Sequence, residues 1–304
     1  IEKLMAATPP KKDKGRPRLP IDRVFTIAGA GTVVTGTLID GSLIVGQEVE
    51  LLPGGLKSKI RNLQTHKSAI EKITPGSRTA VNLTNISTSE VLRGEIVTTP
   101  GWLKTTTLLS ARLQIIPDAR YPLPHNAERS IYILAAEAMV KVRLLETETI
   151  KPGNSGFVQL ALDRPLAVVD GDRFVIRSTT ETLGGGVIID AHARRLPRFK
   201  PEVLKQLKIR EQGSPEDLVL GLLTSQKSLE TVDIIKQISL EEELIQATVD
   251  NLINRGLIIR IGKDGLLYAL PVWQNLKNEA KQILTEFHKR YPIRTGIPKG
   301  ELVN

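Results

Sequence analysis

The densest set of residues able to do chemistry is a run of cations, Arg194-Arg195-Leu196-Pro197-Arg198-Phe199-Lys200. Guanidinium and ammonium groups this close together favour contact with phosphates, and a solvated linker is the competing reading. The whole composition also points to an anionic partner: 42 Lys and Arg against 33 Asp and Glu leave a formal charge of +9 over 304 residues. Nucleic acid is the expected class rather than a membrane, because no strongly amphipathic basic helix stands out and no apolar run reaches the ~20 residues of a membrane span.

Catalytic sets are missing from the sequence. It contains no Gly-x-x-x-x-Gly-Lys-Ser/Thr phosphate loop, no Asp-x-x-Gly and no Asn-Lys-x-Asp, so nothing in it could cradle a nucleotide. The four histidines, His66, His125, His192 and His288, lie far apart with no metal-ligand spacing. With no cysteine at all, disulfide scaffolds, thiolate zinc sites and cysteine nucleophiles are excluded together. The expectation is a binding protein with no catalytic residues, no metal and no cofactor in this stretch.

The elements that would position these cations follow from the hydrophobic period. Thr8 to Pro20 is rich in Pro, Lys and Gly and reads as a linker. From Ile21 to about Pro100, short β-rich runs such as Thr32-Val33-Val34-Thr35 and Glu48-Val49-Glu50-Leu51-Leu52 alternate with turns at Asp40-Gly41 and Pro53-Gly54-Gly55, which predicts a small closed barrel. Leu108 to Ile116, Met139 to Leu145, Phe157 to Leu162, Arg173 to Ile176 and Val187 to Asp190 predict a second barrel. Tyr121 to Pro124 and Lys151 to Asn154 are its loops, and Gly184-Gly185-Gly186 is a place where a strand bends or meets another backbone closely.

After Pro197 the period changes to that of helices. Ser214-Pro215-Glu216-Asp217 has a capping oxygen, Pro at the first helical position and acid in the first turn, and it predicts a helix through Leu218 to Leu223. Ser228 to Ile238 gives a second helix. Ser239-Leu240-Glu241-Glu242 forms a capping box for a third, which ends before Gly256. Leu257 to Ile261 and Leu266 to Leu270, joined by a turn at Asp264-Gly265, complete a winged helix. A further amphipathic helix carries Trp273, Leu276, Ala280, Ile283, Leu284 and Phe287 on one face. The fold expected is mainly β: two tandem barrels and then α/β winged-helix modules. The boundaries are 1–18 linker, 19–102 first barrel, 103–196 second barrel, 197–271 winged helix and 272–304 the start of another. Both ends, Ile1-Glu2-Lys3-Leu4 and Gly300 to Asn304, read as cuts through a longer chain.

Leu19-Pro20-Ile21-Asp22-Arg23-Val24-Phe25-Thr26-Ile27 with Gly29 to Thr37, Gly46-Gln47-Glu48-Val49, Gly76 to Leu83 and Arg93-Gly94-Glu95 resembles the second domain of translational GTPases of the elongation factor Tu superfamily. Arg173 to Arg177 with Gly184 to Ile188 resembles the end of that superfamily's third domain. Continuation into winged helices, and the segment Phe287 to Ile297, is similar to the selenocysteine-specific (SelB) branch.

That resemblance implies a cytoplasmic, monomeric translation factor that binds selenocysteinyl-tRNA and the ribosome, with GTP and Mg bound by a domain outside this stretch. It also implies that further winged helices bind a messenger RNA hairpin. The branch's amino-acid pocket maps onto Asp22, Arg23 and Arg78, with His66 at a position where the family often has a polar residue. A selenol is far more acidic than a hydroxyl, so two guanidinium groups could hold the selenocysteinyl anion and reject a seryl group. The competing reading is an Asp22–Arg23 ion pair at a strand end. Arg194, Arg195, Arg198 and Lys200 remain candidate RNA phosphate contacts. The helix from Leu240 to Arg255 carries Glu241, Glu242, Glu243 and Asp250, which argues against a groove-reading role and for a spacer. The alternatives are another translation factor of the superfamily, such as a γ-subunit-like initiation factor, a winged-helix DNA-binding regulator, and an interaction scaffold.

Overall fold

The computed structural model describes residues 11–297 apart from Ala28, Ala30, Lys67, Ser239, Glu241, Lys263, Asp264 and Thr295. The chain divides into two units, Ile1–Leu207 and Lys208–Asn304.

Ten strands lie between Arg18 and Thr98: β1 (Arg18–Pro20), β2 (Arg23–Ile27), β3 (Gly31–Thr37), β4 (Leu43–Ile44), β5 (Glu48–Leu52), β6 (Leu56–Thr65), β7 (Ser68–Ile70), β8 (Lys72–Ile73), β9 (Arg78–Leu83) and β10 (Ile96–Thr98). Eight of them form one sheet in the order β1-β10-β5-β6-β9-β3-β2, with β7 added to β6. Its two ends, β1 and β2, are consecutive pieces of one segment, so chain continuity joins them. Between them the Ile21 amide donates to Glu95 O and the Asp22 amide donates to Thr35 O, at 2.8 and 2.9 Å. The segment thus touches β3 on one side and the approach to β10 on the other. Gly36 permits this approach, since a Cβ there would stand 2.1 Å from Pro20 O. Leu19, Ile21, Val34, Val49, Leu51, Leu63 and Val81 fill the interior, each contributing about 1.5–3 kcal/mol on full burial.

The next eight strands are β11 (Thr105–Ile115), β12 (Leu123–Pro124), β13 (Ala127–Ile133), β14 (Ala136–Leu144), β15 (Thr149–Ile150), β16 (Ser155–Ala167), β17 (Arg173–Arg177) and β18 (Thr182–Asp190). Six close into a barrel, β11-β16-β14-β13-β17-β18, with β18 hydrogen-bonded back to β11. Alternation dictates the core: Ile131, Val140, Val142, Leu160, Phe174 and Ile176 point inward. The glycine triplet lets β18 lie tight against its neighbours, for a Cβ on Gly186 would meet Arg112 O and one on Gly185 would meet Phe174 O.

The segment 11–17 is not a free linker. Lys14 and Arg16 amides donate to Asp40 O, Asp13 accepts from Ser42 and Thr98 donates to Pro17 O. From the opposite end, α1 (Pro201–Gln212) places Val203, Leu204 and Leu207 on Leu145, Phe157 and Ile189. Sequence reasoning overlooked α1, whose apolar stripe is only three residues deep in a run of Lys, Glu and Gln.

The second unit holds α2 (Pro215–Gln226), α3 (Thr231–Gln237), α4 (Glu242–Asn254), the hairpin β19 (Ile258–Ile261) and β20 (Leu266–Ala269), and α5 (Leu270–Arg290). Ser214 caps α2 as its sequence predicts: Ser214 Oγ accepts from the Asp217 amide and Asp217 accepts from the Ser214 amide. Val219, Leu223, Ile234, Ile245, Val249, Leu252, Ile258 and Leu267 form the core of the unit. Ser239 and Glu241 of the expected capping box, and Asp264 of the expected turn, lie outside the described residues.

Candidate functional site

Strands β2, β3 and β9 carry one set of polar side chains on the outer face of the first sheet. On β9, Thr79, Val81 and Leu83 are buried, while Arg78 is exposed and Ala80 half-buried on the opposite face. Register places Arg23 opposite Thr35, and Arg78 opposite Thr37. Across this face Arg78 reaches Asp22: Nη1 donates to Oδ2 at 2.6 Å and Nη2 to Oδ1 at 3.1 Å. Thr35 Oγ1 donates to the same carboxylate at 2.7 Å. Burial alone would raise the Asp22 carboxyl, but these hydrogen bonds and the charges of Arg78 and Arg23 outweigh it and hold it below the usual carboxylate range.

The site stays open to solvent. The Arg78 side chain is 56% exposed and the Asp22 side chain 29%. Thr65 extends the network, since its Oγ1 donates to Arg78 O at 3.0 Å and lies 3.1 Å from His66 Nδ1. The single hydroxyl proton is spent on that carbonyl, so Nδ1 is assigned as the donor to Thr65. The adjacent cross-strand row is Phe25, Val33, Asn82 and Asn62. Phe25 is exposed, while Asn82 is buried with its Oδ1 unpartnered among the described residues.

The structure therefore brings Asp22, Arg78 and His66 into one hydrogen-bonded chain through Thr65 and places Arg23 beside Thr35 on the same face. The ion pair considered between Asp22 and Arg23 forms with Arg78 instead. Arg78 lies on a strand next to β3, within reach of the carboxylate, and its fork matches both carboxylate oxygens. Arg23, exposed at the start of β2, forms no ion-pair contact among the described residues and acts on Asp22 through its charge alone. Thr35 and Thr65 escaped sequence reasoning, because a threonine in a strand carries no signal beyond β-propensity.

The four junction cations separate. Arg198 is tied down: Nε donates to Leu144 O, Nη2 donates to Thr147 O, and Nη2 lies 2.9 Å from Glu148. Arg194, Arg195 and Lys200 are exposed. Among the described residues no group of three His, Asp or Glu side chains could hold a metal ion, and no helix is long and apolar enough to cross a membrane.

The first unit thus joins an eight-stranded sheet, with an exposed Arg78–Asp22 pair on its outer face, to a closed six-stranded barrel. Residues 110–195 match the family described as the selenocysteine-specific elongation factor β-barrel domain. The chain is 31% identical, over its full length, to the selenocysteine-specific elongation factor of Desulfomicrobium baculatum, of which the match covers 49%. It is 30% identical to elongation factor Tu 2 of Streptomyces avermitilis over 56% of this chain and 45% of that protein. The chain is thus similar along its whole length to a selenocysteine-specific elongation factor, and residues 110–195 match the β-barrel domain of that family. It spans about half the length of the relatives it matches.

Proposed function

We propose that this chain holds the aminoacylated end of selenocysteinyl-tRNA for delivery to the ribosome at recoded UGA codons, with Asp22, Arg23, Arg78 and His66 as the amino-acid pocket. The observation that carries this reading is the exposed, bidentate Arg78–Asp22 pair flanked by Arg23 on the outer face of the first sheet. Three charged groups there sum to one net positive charge. Asp22 orients the Arg78 guanidinium, and the surplus charge attracts the selenolate, which the seryl ester lacks at neutral pH.

GTP and Mg belong, on this reading, to a GTPase domain of the parent factor, and messenger hairpin recognition to further winged helices. This chain itself then neither binds nor hydrolyses GTP. The acidic first turn of α4, Glu242 and Glu243, supports a spacer role for the second unit and disfavours a DNA-binding regulator. The setting is the cytoplasm, and the factor acts as a monomer.

Dissociation constants of the wild-type chain and Arg78→Ala for selenocysteinyl-tRNA and seryl-tRNA test the pocket. The expected loss is about 1.5–3 kcal/mol for the selenocysteinyl form and much less for the seryl form. Equal losses for both, or an unchanged preference, refute the assignment.

A further inference from the structure

We propose that Arg143, Arg195 and His125 form a second RNA contact, a site for a backbone phosphate on the outer face of the closed barrel. This rests on the reading that the chain carries a tRNA, and it adds a contact remote in sequence from the amino-acid pocket.

The site is built by a strap. Gln159 is 1% exposed, and its amide grips the segment that leaves the barrel: Nε2 donates to Arg194 O at 2.7 Å, and Oε1 accepts from the Leu196 amide at 3.0 Å. Arg195 is thereby held between two anchored residues with its side chain exposed. Arg143, on β14, lies beneath the same strap. Its Nη1 donates to Gln159 Oε1 at 2.9 Å and to Leu196 O, both neutral acceptors. Among the described residues neither Arg143 nor Arg195 is paired with a carboxylate. Among the described residues, the carboxylate engaged in the cluster is Glu148, on Arg198.

His125 completes the set with a neutral donor. Its Nδ1 accepts from the Leu144 amide at 3.1 Å, so the proton of the neutral ring is assigned to Nε2. Burial and then the charges of Arg198 and Arg143 keep the imidazole below its ordinary pKa, against the pull of Glu148. Burial, then Arg195 and Arg198, likewise press the Arg143 guanidinium down. Three guanidinium groups with one carboxylate leave two positive charges unrelieved beside a backbone anchored by Gln159. A phosphodiester carries one negative charge and accepting oxygens, which suits a guanidinium fork and an imidazole N–H.

The test is binding of a deacylated tRNA to the 304-residue chain, followed by fluorescence anisotropy across a salt series, for wild type, Arg195→Gln and Arg143→Gln. Melting curves accompany each, and Arg195→Gln, being exposed, serves where Arg143→Gln disturbs the strap. The slope of log K against log salt is expected to shrink by about one in Arg195→Gln. The preference for selenocysteinyl- over seryl-tRNA is expected to persist. A slope unchanged from wild type in a folded Arg195→Gln overturns the phosphate site and leaves the pocket reading intact. Loss of the amino-acid preference alongside the slope also overturns it, because the substitution would then act on the whole surface. No tRNA binding by the wild-type chain at low salt overturns both readings.

Discussion

The first unit contains the same chemical pair twice, in opposite surroundings. Arg18–Asp172 and Arg78–Asp22 are both two-pronged and both close to 2.6 Å. The side chains of the first are 4% and 7% exposed, those of the second 56% and 29%. Arg18, on β1, links the first sheet to Asp172 of the closed barrel, 154 residues away, and also holds Asp40. Asp172 in turn accepts from the Val169 amide, so the buried charges are satisfied on several sides. The exposed pair has no such enclosure and stays open to solvent, as the proposed amino-acid pocket requires. Burial therefore separates a strut from an open surface pair where residue identity and distance do not.

Breaking the strut gives the largest expected effect. Arg18→Met strands Asp172 and Asp40 beside an apolar side chain, and the loss of stability is expected to be about 3–5 kcal/mol. Urea denaturation checks this as a fall in midpoint with the slope unchanged. Arg18→Met with Asp172→Leu is expected to recover part of the loss, since a buried pair replaced by apolar groups can be close to neutral. Additive losses in the double variant would show that the pair is not coupled.

Acid sharpens the same contrast with a smaller effect. Burial pushes the Asp40 carboxyl up, but the charges and hydrogen bonds of Arg18 and Lys14 more than cancel it, and the group rests below its usual value. A carboxyl lowered on folding contributes stability that is present above its unfolded pKa of about 3.9 and is lost as pH falls through the folded value. Without Arg18 the raising influence of burial is left opposed mainly by Lys14. Arg18→Met is therefore expected to begin acid unfolding at a higher pH than wild type, followed by circular dichroism. Asp22→Asn, at the exposed pair, is expected to move the acid transition far less.

What was legible in the sequence follows period and turn chemistry. Thr32 to Thr35, Glu48 to Leu52 and Arg173 to Ile176 are β-rich runs bounded by turns and form strands, and the Ser214 capping box starts α2 where its residue types require. Ala127–Ile133 was missed because Glu128, Arg129 and Ser130 interrupt its apolar run, although Ile131 and Ile133 still point inward. Arg18 carried no signal in a Pro- and Lys-rich stretch, since its partner Asp172 is brought close only by the barrels. The proposed pocket positions rest on resemblance alone. Neither the Arg78–Asp22 pairing nor the threonines that support it could be read from spacing, because they meet across strands distant in sequence.

The smallest expected effect is the decisive one for the comparison. Arg78→Ala removes an ion pair as short as the buried one, yet water already screens both partners and solvates Asp22 once its partner is gone. The loss of folding stability is expected to stay within about 1 kcal/mol, which is the ordinary worth of an exposed pair. Thr35 continues to hold Asp22 through its hydroxyl, so the carboxylate keeps one of its donors. Thermal melting of Arg78→Ala beside Arg18→Met, in one buffer at neutral pH, measures the difference directly. A loss in Arg78→Ala comparable to that of Arg18→Met would make the exposed pair a second strut. A near-native melting curve together with a lost preference for the selenocysteinyl ester would separate stability from recognition at a single guanidinium.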